Sequence, residues 1–166
     1  MKNILIIIIL FFLQSNMFAQ KNYSADSIKY LAGYNAIIDD SINQEKSFII
    51  SDSLVRLNIA VFFRELKQKD NDSLVPQLYG IYQNVDSFSK LTFLSDKSRR
   101  CSKNILFFSP IINDSILCAE LFKNKSNLSK NEYLDVAMFS TSYMYLFVFD
   151  EMGKIKSMFR KEMIYN

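Results

Sequence analysis

The stretch ILFFSPIINDSILCAELF, residues 105–122, reads as a β-hairpin. Two apolar runs, Ile105 to Ser109 and Ile116 to Phe122, flank the turn pair Asn113-Asp114. Closing the strands about that pair sets Ile105 opposite Phe122, Phe107 opposite Glu120 and Ser109 opposite Cys118. Alternation then places Leu106, Phe108, Leu117, Ala119 and Leu121 on the core face, and Ile105, Phe107, Ser109, Cys118, Glu120 and Phe122 on the other.

Working outward, Tyr143 to Phe149 is unbroken apolar and aromatic, the pattern of an interior strand covered on both faces. Asp150 to Gly153 supplies a turn in which Gly153 suits a positive φ. Lys154 to Met163 then carries Lys154, Lys156, Arg160 and Glu162 on one side, which suits an exposed or edge strand. Between hairpin and interior strand, Ser129 and Glu132 have capping-box spacing before Tyr133 to Phe139, a segment that also alternates and so fits helix or strand.

Before residue 100 the periodicity is helical. Ser24 caps a helix carrying Ile28, Leu31, Tyr34 and Ile38 and ending near Asp40. Ser51 caps a second through Leu54, Leu57, Val61, Phe62 and Leu66, and 73–85 forms a third with Pro76 in its first turn. The expected fold class is α+β: two or three N-terminal helices packed on one face of a four- to five-stranded antiparallel sheet. This element order resembles the cone-shaped NTF2-like and cystatin-like arrangements. The resemblance is one of order alone and carries no site residue onto this chain.

The first 19 residues have the layout of a secretory signal peptide: Lys2, an apolar run from Ile4 to Leu13, then a polar and small stretch to Ala19. At about 1.5 Å per residue that run covers only about half of a roughly 30 Å hydrocarbon core, so no stable transmembrane segment is expected after cleavage. Residues 20–166 are then one domain, and the protein is expected in the periplasm or outside the cell.

Composition removes several function classes. The formal charge is +3, which argues against a nucleic-acid footprint. There is no histidine, so Ser-His-Asp and Cys-His machinery and histidine zinc sites are excluded. Two cysteines are too few for a four-cysteine metal site, and the scattered Gly33, Gly80 and Gly153 form no phosphate loop. No cofactor and no metal is expected. Cys101 and Cys118 invite a disulfide in an oxidising compartment, but the hairpin register separates them by far more than the roughly 7 Å limit for bridged Cα atoms, which favours free thiols.

The residues left to carry function are Glu120 and the row Tyr143, Tyr145 and Phe147. If the face of Glu120 lines a pocket, its carboxyl is desolvated and suits a proton donor or ligand anchor; a half-solvated sheet, the commoner case, would leave it an ordinary exposed residue. The aromatic row either lines an apolar cleft between helices and sheet or simply fills the core. The expected function is a small-ligand or protein binding module of the cell envelope or extracellular space. The alternatives are a histidine-free hydrolase or isomerase using Glu120 with Tyr143 or Tyr145, and a structural or inhibitory partner of another envelope protein acting through Arg99 and Arg100.

Overall fold

The computed structural model describes residues 25–43, 47–66, 94, 97–98, 102–123 and 133–165. The signal peptide, the third helix at 73–85, and Arg99, Arg100 and Cys101 lie outside them.

The hairpin forms in the expected register. Strand β2 (Ile105–Phe108) pairs antiparallel with β3 (Ile116–Phe122), Phe107 facing Glu120 and Ile105 facing Phe122. Asn113 and Asp114 take positive φ angles of 47° and 55°, the left-handed region that asparagine and aspartate tolerate best after glycine. Strand β4 (Thr141–Phe149) pairs with β3 on one side and with the edge strand β5 (Ile155–Ile164) on the other. Gly153, at φ 74°, makes the turn between β4 and β5.

The chain is α+β, with corrections on both counts. The sheet has five strands in the order β1-β2-β3-β4-β5, and it is mixed: β1 (Ile49–Leu54) runs parallel to β2. The second helix expected from Ser51 to Leu66 is therefore β1 followed by a 3-10 turn, Ile59–Phe62. Leu54, Leu57, Val61, Phe62 and Leu66 fit helical spacing, yet the chain before them pairs Ile50 with Leu106 as a strand and buries Phe48 and Ile50 in the core. Ile49 N and Val55 N donate to Asn104 O at 2.8 Å and Phe108 O at 2.9 Å, so tertiary pairing overrides the local pattern. Among the described residues one helix, α1 (Ala25–Asp39), packs on the sheet's core face, and Tyr133–Ala137 resolves as a short helix, α2.

Helix α1 lays Tyr30, Tyr34 and Ile37 on Leu106, Leu117, Leu121, Tyr145 and Phe147. Contact is close: a Cβ on Gly33 would stand 3.2 Å from Leu117 Cδ2 and 3.4 Å from the Phe147 ring. Lys29 Nζ donates to Asp114 O at 2.6 Å and Tyr30 Oη to Ser109 O at 3.0 Å, tying the helix start to the hairpin turn. The other face is covered too. Leu57, Ile59 and Phe62 pack on Ile116, Cys118, Met144 and Leu146, while Val136 and Ala137 of α2 pack on Ile105, Phe107 and Phe122. The sheet is thus the middle of three layers, and β3 is buried along its whole length.

Candidate functional site

Because both faces are covered, Glu120 is 0% exposed, on the second face of the sheet. Three hydroxyls converge on its carboxyl. Tyr133 Oη donates to Oε2 at 2.7 Å, Tyr165 Oη donates to Oε1 at 2.7 Å, and the Ser142 hydroxyl donates to Oε1. The two phenol oxygens stand 3.2 Å apart. A carboxylate is an acceptor only, so hydroxyl donors are the neutral groups that match it without bringing in a second charge.

Each donor comes from a different element. Ser142 is the second residue of β4, opposite Phe122, Tyr133 opens α2, and Tyr165 follows β5, where its N–H donates to Ser140 O at 2.9 Å. The phenyl groups close the box: Tyr133 meets Phe107 and Phe122 edge-on at 5.4 and 5.8 Å, and Tyr165 lies 6.0 Å from Phe122. Burial pushes the Tyr133 phenol well above its ordinary value, with the charge of Glu120 adding to the rise. Burial raises Tyr165 to about 12, against the lowering effect of the Tyr133 hydrogen bond. Glu120 therefore pins α2 and the end of β5 to the sheet.

Beyond this pin several large apolar side chains are exposed. Leu134 on α2 and Met138 just past its end are 77% and 61% exposed and Phe139 is 81% exposed, while Ile164, paired with Thr141 and so directed to the other side of the sheet, is 69% exposed. Phe139 holds a φ of +50°, a conformation a bulky side chain seldom takes, with Ser140 Oγ donating to Ala137 O at 2.5 Å beside it.

The aromatic row lies on the opposite face. Tyr145 and Phe147 are fully buried beneath α1, stacked at 6.2 Å, and Asn43 Nδ2 donates to Tyr145 Oη at 3.1 Å. Tyr143 sits at the sheet rim with Lys123 Nζ 4.7 Å above its ring. Glu120 pairs across strands with Met144, whereas Tyr143 pairs with Leu121 and Tyr145 with Ala119, so neither tyrosine shares its face. The interval between α1 and the sheet is filled by side chains, and the aromatic row serves the core. Cys118 is free and buried, and burial drives its thiol far above the ordinary value.

Among the described residues no group of His, Cys, Asp and Glu is placed to hold a metal, and no helix is long and apolar enough to cross a membrane. A shallow open groove of about 580 Å³ runs past Ser115, Phe149, Asp150 and Lys156 at the other end of the sheet. Comparison with protein-family models, with curated proteins and with solved structures finds no match.

Proposed function

We propose that this chain is an exported binding module that docks a protein partner on the apolar face formed by Leu134, Met138 and Phe139. The observation that carries the reading is the exposure of these three large side chains within six residues of chain. Scattered exposed apolar residues are ordinary on a soluble protein, whereas a gathered set marks an interaction surface. Its backing is rigid: α2 and the end of β5 are fixed through Tyr133 and Tyr165 to the buried carboxylate of Glu120. A preformed face loses little side-chain and backbone freedom on binding, which favours affinity.

A protein partner fits better than a small molecule. Drug-sized ligands are held in cavities that enclose most of their surface, and this face is an exposed helix and turn whose underlying acid, Glu120, is already satisfied by three hydroxyls. The signal-peptide layout of residues 1–19 favours an encounter in the periplasm or outside the cell.

The test is affinity capture of the tagged protein from cells that produce it, compared with Leu134→Glu/Met138→Glu. Both positions are exposed, so the variant should keep the wild-type melting temperature. A partner retained by the wild type and lost from the variant supports the reading. The same retained proteins in both samples would end it.

A further inference from the structure

We propose that β5 is a self-association edge, through which two copies pair antiparallel about a two-fold axis at Phe159 and join their five-stranded sheets into one. Strand β5 is ten residues long and closes the strand order, so among the described strands it is paired only with β4. Tyr165 N donates to Ser140 O, and along an antiparallel ladder the hydrogen-bonded positions recur every second residue. The backbone groups of Ser157, Phe159, Lys161 and Met163 thus turn to β4. Those of Met158, Arg160, Glu162 and Ile164 turn outward, a row ready to pair with another strand.

A free edge alone selects no partner; the charges do. With Phe159 on the axis, Met158 meets Arg160 and Ser157 meets Lys161 of the second copy, and Lys156, the extra residue of the bulge between Ile155 and Ser157, comes opposite Glu162 on each side. Opposite charges meet twice and like charges never. Moving the axis to Met158 sets Lys156 against Arg160, and moving it to Arg160 sets that guanidinium against its own copy. The remaining cations are already compensated within the protomer, Arg160 by Asp40 at 2.6 Å and Lys161 by Glu65 at 2.8 Å. Among the described residues Lys156 and Glu162 make no ion pair, so both are available across the axis. Phe159 meets its copy at a non-hydrogen-bonded position, where Cα atoms approach to about 4.5 Å and rings pack directly. The interface is isologous and closes on itself, leaving no further edge at β5.

The experiment is sedimentation velocity on the mature chain over a concentration series, with disulfide trapping beside it. The wild type should show a monomer–dimer equilibrium. Glu162→Lys, an exposed substitution that leaves circular dichroism unchanged, should weaken the dimer at least about tenfold, and Lys156→Glu/Glu162→Lys should restore it. In a Cys101→Ser background, Phe159→Cys should form an oxidised dimer, because the axial Cα separation suits a disulfide, whereas Ser157→Cys should not. A monomer at every concentration, a dimer indifferent to Glu162→Lys, failure of the charge swap to restore it, or equal trapping at Ser157 would each overturn the proposal.

Discussion

Replacing Glu120 with alanine should destabilise the fold by about 3 kcal/mol. The substitution strips the acceptor from Ser142, which is 1% exposed, and an unsatisfied buried hydroxyl costs about 1–3 kcal/mol. Tyr133 and Tyr165 are half-buried and keep each other at 3.2 Å, so each loses roughly 0.5–1 kcal/mol. The void under Phe107 and Phe122 adds about 1 kcal/mol. Against this, the carboxylate no longer has to be desolvated, which returns roughly 1–2 kcal/mol. At this chain length the net loss corresponds to a fall in melting temperature of about 10 °C, read by calorimetry. Glu120→Gln keeps one carbonyl acceptor toward Ser142 and Tyr165 and turns an amide N–H toward Tyr133, so it should stay within about 1 kcal/mol of wild type. An alanine variant melting within about 2 °C of wild type would refute the pin.

Acid should expose the Asp40–Arg160 pair. Burial raises the Asp40 carboxyl, but the hydrogen bond from Arg160 and the N–H of Ile42 outweigh it and hold the folded value below the ordinary 3.8. Its stabilisation is present above that value and lost as the pH falls through the lower folded one, so the deficit of Arg160→Met, about 0.5–1 kcal/mol by urea titration at neutral pH, should vanish in strong acid. At the alkaline end Tyr165, lifted from 10.0 to about 12, stabilises the fold below pH 10 and loses that contribution as the pH climbs toward 12. Tyrosinate absorbance should therefore rise later in the native protein than in urea. Cys118 should resist iodoacetamide until denaturant is added, since the thiolate is the reacting form and burial suppresses it; modification at the native rate of a free peptide would contradict its placement.

Much of the sheet was legible because its signals are local. Residues 105–122 fix a hairpin through two apolar runs and an Asn-Asp turn, and the alternation of Lys156, Arg160 and Glu162 marks an edge. What escaped depends on long-range partners. Residues 51–66 fit a helical period, and only the pairing of Ile49 and Ile50 with Ile105 and Leu106 makes the segment a strand. The surroundings of Glu120 were misjudged on the assumption of one wet sheet face. Yet β3 is apolar at six of its seven positions, the same sign of double coverage that was read in Tyr143 to Phe149. Its donors lie 13, 22 and 45 residues away, spacings that no local pattern reports.

The central claim is that the partner sits on the face around Phe139. A photo-crosslinking amino acid placed at Phe139, in the protein made in its producing cells, tests it most directly, with the same group at Met152, 74% exposed at the β4–β5 turn, as control. One dominant protein adduct is expected from position 139, absent from position 152 and abolished by Leu134→Glu. Adducts of equal yield and pattern at the two positions, or none at 139, would contradict it.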